Sequence, residues 1–217
     1  ASDVYKRQVQ IILIEHFMAA CAICNVTAVD VFLSHNEMPI LDGSSKDWIE
    51  LLKKLGYKPM SAEEISANNK KLKFEPAVYI NGKTHLVAVP SEDFRVSYGV
   101  NYRHPELSNR WVELTQDNLN EIIEARTFGY LKELEMMQAA GFGRGATIDN
   151  TVGMTDDGYT TELRSAYEPA KHKILDLIGD FYLTGINPLT IGAQFIAKEA
   201  GHTVHVKTAK ILKENLK

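Results

Sequence analysis

The 217 residues predict an α+β fold of two similar units, each a sheet with helices packed on one face, the helices sandwiched between the sheets. Three observations carry this. Stretches with strand character alternate with stretches of helical apolar period. Asn81-Gly82 sits between two apolar alternations, a strong hairpin signal. The order of strands and then helices occurs twice, with more material the second time.

In chain order, Val9–Leu13 is β-prone, Glu15–Ile23 is a helix candidate, and Ala28–Leu33 alternates like a strand. Met38–Ser44, with its Pro, Asp and Gly, is a turn. Asp47–Leu55 places Trp48, Leu51, Leu52 and Leu55 at helical spacing, and Gly56 is the stop. This is the first unit, residues 1–58. Residues 59–72 are polar and lysine-rich and read as a linker. The second unit, 73–217, opens with strands at Pro76–Ile80, Thr84–Val89 and Phe94–Tyr102. Helix candidates follow at Thr115–Arg126, capped by Thr115, and at Tyr130–Ala140. Gly141–Gly145 is a glycine-rich break, Pro169–Leu183 the most periodic helix, Gly192–Ile196 a last strand and Val206–Leu216 a closing helix. Ser2–Gln8 resembles the translation of a transposase adaptor and is left out of the fold reading.

A net charge of −4 argues against a nucleic-acid surface, which needs clustered Lys and Arg. No apolar run reaches a membrane span, so stable insertion is not expected. The two cysteines, Cys21 and Cys24, have C-x-x-C spacing but lie in an apolar segment, where a free thiol behaves as a small hydrophobe. Without a disulfide framework or signal peptide, the chain reads as cytoplasmic.

Four polar features stand out. On a helix, His172, Asp176 and Asp180 are spaced i, i+4, i+8 and share nearly one face. That pattern fits a metal site, although spacing alone favours a solvated face with a His–Asp hydrogen bond. Glu15-His16 interrupts an apolar run, and an adjacent carboxylate and imidazole suit a base and a ligand, although a histidine at a helix start is more often structural. Gly201-His202 and Arg126-Thr127-Phe128-Gly129 are weaker signals, for an acid and for a hydroxyl donor to an oxyanion.

Taken together the motifs resemble the UDP-3-O-acyl-N-acetylglucosamine deacetylases, which catalyse the committed step of lipid A biosynthesis. The matching strings are Ile14-Glu15-His16-Phe17-Met18-Ala19-Ala20, Met38-Pro39-Ile40-Leu41-Asp42-Gly43-Ser44, Glu124-Ala125-Arg126-Thr127-Phe128-Gly129, Ala146-Thr147-Ile148-Asp149-Asn150, His172-Lys173-Ile174-Leu175-Asp176-Leu177-Ile178-Gly179-Asp180 and Gly201-His202, in family order. The resemblance implies Zn2+, with Fe2+ as the alternative metal, held by His16, His172 and Asp176. It implies Glu15 as general base, His202 as the catalytic histidine, Asp180 as its orienting carboxylate and Thr127 as oxyanion donor. Lys173 and Phe128 match substrate-binding positions. The implied substrate is UDP-3-O-(hydroxyacyl)-N-acetylglucosamine, hydrolysed to acetate and the free amine by a monomer. An insert at about 129–151 would build the acyl channel, with Leu131, Leu134, Met136, Met137 and Phe142 as candidate linings. The family's opening strands have no counterpart here, so the chain is expected to begin inside the first unit. Ala146 stands where the family tends to have glycine. The alternatives are a non-catalytic version of the fold and a related metal-dependent N-deacetylase with another substrate.

Overall fold

A computed structural model describes residues 10–69, 73–140 and 145–216. The architecture is α+β, as the sequence predicts. Two helices form its centre: α1 (Glu15–Ile23) and α6 (Glu168–Leu183). The sequence reading of α1 has the same bounds, and its apolar run is buried on nearly every side. From Phe17 to Ile23 all but Met18 are buried. The two helices touch backbone to backbone at Gly179. A Cβ there would lie 2.1 Å from the Glu15 carbonyl oxygen and 3.2 Å from the Ala19 nitrogen. Only glycine permits that approach, and it sets Glu15 and His16 beside the polar face of α6.

On its other side α6 packs on a five-stranded mixed sheet. The strands are β1 (Ala77–Asn81), β2 (Thr84–Pro90), β3 (Arg95–Val100), β4 (Arg110–Thr115) and β7 (Ala193–Lys198), in the order β1-β2-β7-β3-β4. β1 and β2 form the expected hairpin, Asn81 opposite Thr84. β7 enters between β2 and β3, antiparallel to one and parallel to the other. Inward residues such as Leu86, Phe195 and Tyr98 are fully buried beneath the helices. The closing helix α7 (His202–Asn215) begins four residues before the expected Val206, with Gly201 as its N-cap, and packs on α6, β1 and β2. Between β4 and α6 lie a short helix α4 (Asn120–Ile123), a parallel pair β5 (Thr127–Tyr130) and β6 (Thr151–Met154), and α5 (Leu131–Ala139).

Several elements differ from the expectations. The strands expected at Val9–Leu13 and Ala28–Leu33 do not form among the described residues; a lone bridge joins Ile12 to Glu37. An alternating pattern makes a strand only when a neighbour completes its hydrogen bonds, and Val29, Val31 and Phe32 stand exposed instead. The helix expected at Asp47–Leu55 forms as α2 (Lys46–Lys54), and the polar stretch after residue 58 holds an eight-residue helix, α3 (Ala62–Asn69), anchored by the fully buried Ile65. The helix expected at Thr115–Arg126 shrinks to α4, preceded by a single turn that Thr115 does cap, its hydroxyl accepting from Asp117 N–H. Residues 2–8, most of the Gly141–Gly145 break and Phe142 lie outside the described residues. No described helix is long and apolar enough to cross a membrane.

Candidate active site

α6 brings His172 and Asp176 to one face, one turn apart, and the close contact at Gly179 delivers His16 from α1 to the same point. The Nε2 atoms of His16 and His172 are 3.3 Å apart, with the rings nearly perpendicular. His172 Nε2 lies 3.2 Å from Asp176 Oδ1. All three side chains are buried. The backbone around them is fixed: Ser45 Oγ donates to the His16 carbonyl at 2.9 Å, and His172 Nδ1 donates to the Ala125 carbonyl at 2.9 Å. That second bond sets the tautomer, because a carbonyl can only accept. The proton of a neutral His172 ring is therefore on Nδ1 and the lone pair of Nε2 points at His16. Burial first, then the neighbouring His172, push His16 down to about 3, so its ring is neutral at ordinary pH.

Asp176 completes the group. Burial disfavours its carboxylate, but Lys173 foremost and then His172 hold it well below the usual range. Lys173 Nζ donates to Asp176 Oδ2, whereas Asp176 Oδ1 is buried with no well-formed hydrogen bond. A buried carboxylate oxygen without a partner is costly. Two imidazole lone pairs and one orphaned anionic oxygen turned toward each other are what a divalent cation requires, so these residues could hold a metal ion.

Around this point opens a cleft of about 280 Å³, lined among others by Glu15, Thr127, Phe128, Lys173, Asp176 and His202. Burial, and next Asp176, raise Glu15 above its usual range, which suits a proton acceptor near neutral pH. Thr127 and Phe128 arrive on β5. The strand is anchored by a buried fork in which Arg126 Nε donates to Glu168 Oε1 at 2.9 Å and its backbone N–H to the same oxygen at 2.8 Å. Gly43 supplies a second anchor, its carbonyl accepting from Thr127 N–H at 2.7 Å. Gly43 has φ +80°, and a Cβ would collide with the Asn150 carbonyl at 1.7 Å. Phe128 stands edge-on to His172.

At the cleft mouth His202, the first residue of α7, is 52% exposed at its side chain and its Nδ1 donates to Asp180 Oδ2 at 2.8 Å. That hydrogen bond is the main reason its pKa is raised to about 9. The structure thus gathers all nine sequence-selected residues: His16, His172 and Asp176 at the centre, Glu15, Thr127, Phe128, Lys173 and His202 on the cleft wall, and Asp180 behind His202. Two residues near this group escape the sequence reading. His205 also donates to Asp180; its spacing i+3 from His202 on a helix was the available signal. Tyr102 lines the cleft from the loop after β3; no motif marks it. The cysteines are free and buried, and burial pushes the thiols of Cys21 and Cys24 up to about 12 and about 11, away from the thiolate that metal binding or redox chemistry needs.

A family model described as UDP-3-O-acyl N-acetylglycosamine deacetylase matches residues 1–214. Curated relatives bearing the name UDP-3-O-acyl-N-acetylglucosamine deacetylase include one from Thermosynechococcus vestitus, 29% identical over 98% of this chain and 73% of its own length. One from Leptospira biflexa is 35% identical over 92% of this chain and 65% of its own length. One from Trichormus variabilis is 32% identical over 91% and 71%. The chain therefore spans about two thirds of the length of the relatives it matches. With the family match running nearly end to end, the chain belongs to the UDP-3-O-acyl N-acetylglycosamine deacetylases, a family of hydrolases.

Proposed function

We propose that this chain hydrolyses the acetamide of a UDP-3-O-(hydroxyacyl)-N-acetylglucosamine, releasing acetate and the free 2-amine, the committed step of lipid A biosynthesis, in the cytoplasm and as a monomer. The observation that carries this reading is the convergence of His16, His172 and Asp176 below a cleft that also holds Glu15 and His202. The donor set fits zinc. Tetrahedral ligands at about 2.0–2.1 Å from zinc would stand about 3.3 Å from one another, and the adjacent donor pairs here are 3.3 and 3.2 Å apart. Fe2+ takes the same N and O donors and is the alternative ion.

Bound there, the ion would acidify a water and polarise the acetamide carbonyl. Glu15, its pKa raised, accepts the proton of the attacking water. The His202 imidazolium, kept charged by Asp180, faces the negative charge that develops on the carbonyl oxygen and supplies a proton to the leaving amine. The Thr127 hydroxyl is a second donor to that oxygen. Lys173 holds Asp176 as the anionic ligand and contributes positive charge to the substrate-binding wall, while Phe128 offers an apolar surface to the sugar. The acyl chain would leave past Leu131, in a hollow of about 420 Å³ that shares Tyr130, Glu133 and Met154 with the catalytic cleft. The insert at about 129–151 is the segment assigned to it, within a second unit of residues 73–217 joined to the first, 1–58, by residues 59–72.

The test is turnover of the acylated UDP-N-acetylglucosamine by zinc-loaded protein. Glu15→Ala is expected to lower kcat by at least about 100-fold, the usual contribution of a general base. Undiminished turnover would contradict the mechanism.

A further inference from the structure

Asp180 is held by more than its bond to His202. The same oxygen, Oδ2, accepts from Nδ1 of His205 at 2.8 Å. His205 has no exposed side-chain surface, whereas His202 is 52% exposed. The far nitrogen of His205, Nε2, lies 2.9 Å from the Tyr98 hydroxyl, and that hydroxyl donates to the Ala200 carbonyl at 2.6 Å. Ala200 directly precedes Gly201, where α7 begins. A buried imidazole thus links β3, the start of α7 and the carboxylate on α6.

We propose that His205 is a positioning residue for the hydrolysis: it locks the Asp180 carboxylate, and through it the His202 ring, in the productive orientation. An aspartate has two soft torsions, and one bond from a half-exposed histidine leaves the pair free to swing together. A second donor, bonded to Asp180 through Nδ1, packed against the Tyr98 hydroxyl at Nε2 and enclosed on all sides, removes that freedom. Misplacing a catalytic group by about 1 Å costs about 100-fold in rate. This inference rests on the reading of His202 as a catalytic residue.

The experiment compares His205→Leu, His205→Asn and His205→Gln in the zinc-loaded chain, with His202→Ala alongside. Asparagine can place an amide N–H on Cγ, where histidine carries Nδ1, and so keeps the bond to Asp180; glutamine sets the amide one methylene farther out. The expected result for His205→Leu is a fall in kcat of about 10–100-fold, as for other outer-sphere partners, with KM changed little. His205→Asn should recover most of kcat and His205→Gln should not. Should His205→Leu fail to fold, the Asn and Gln pair decides. Wild-type kcat in a folded His205→Leu protein, or equal kcat in the Asn and Gln variants, would overturn the proposal. Loss of turnover in His202→Ala accompanied by either of those results would place the failure in His205 alone, whereas full turnover in His202→Ala would remove the reading on which the proposal rests.

Discussion

The ring of His202 carries its charge into the alkaline range because its partner is an anion held in a mostly buried place. Burial opposes the Asp180 carboxylate, yet the bonds from His202 and His205 keep it below the usual range. His202 in turn is raised to about 9. With the imidazolium as the working form, the alkaline limb of kcat falls as pH rises through about 9. Asp180→Asn removes the negative charge, so the alkaline limb should move to lower pH, toward the free value of about 6.5. A pH–rate profile of that variant checks this, and a limb that stays near 9 would contradict it. At this scale the sequence was informative where motifs repeat a chemical grammar. His172 and Asp176 could be paired by spacing, but spacing alone favoured a solvated face. What decides is tertiary: the lone pair of His172 set by Ala125, and an orphaned oxygen on Asp176. Neither is legible one residue at a time.

Among the elements, α1 and α6 determine whether a site exists at all. Their contact depends on Gly179, so Gly179→Ala must push α1 away from α6 or strain both. Overpacking of this kind costs about 1–3 kcal/mol or more. Urea unfolding should register that loss, and zinc affinity should fall with it because His16 moves with α1; an unchanged midpoint and affinity would argue against the close-contact account. The Arg126–Glu168 fork places β5. Its members are 5% and 0% exposed at the side chain, so Glu168→Gln leaves a buried guanidinium without its counter-charge, at about 3–5 kcal/mol. Burial works against ionised Glu168, but the Arg126 bonds hold its pKa below the ordinary value. A depressed carboxylate pKa contributes stability above the unfolded value of about 4.3, lost as pH falls through the folded value. Acid unfolding of the wild type should therefore show a limb that Glu168→Gln lacks. The long helices were legible because apolar period 3.6 persists over two or more turns. β5 and β6 were not, since four residues give no period to detect. β4 was readable in hindsight: Trp111 and Glu113 are exposed and Val112 and Leu114 buried, an alternation that the Thr115 cap signal drew attention away from. Ala28–Leu33 shows the converse, an alternation with no partner strand among the described residues.

Across the whole molecule, the site is a meeting of distant segments. α1 contributes Glu15 and His16, α6 His172, Asp176 and Asp180, β5 Thr127 and Phe128, and α7 the exposed His202, so residues 15 and 202 meet within one cleft. The fold class followed from the order of elements, but the insertion of β7 between β2 and β3, which carries α7 and His202 over α6, is a topological fact that no local pattern encodes. The central claim is that zinc is held by His16, His172 and Asp176. The most direct measurement is X-ray absorption at the zinc edge of the loaded chain. Zinc on His16, His172 and Asp176 would show nitrogen and oxygen neighbours at about 2.0–2.1 Å, with the outer-shell scattering of two imidazoles and no sulfur. A sulfur neighbour at about 2.3 Å would place the metal at Cys21 and Cys24 instead and contradict it.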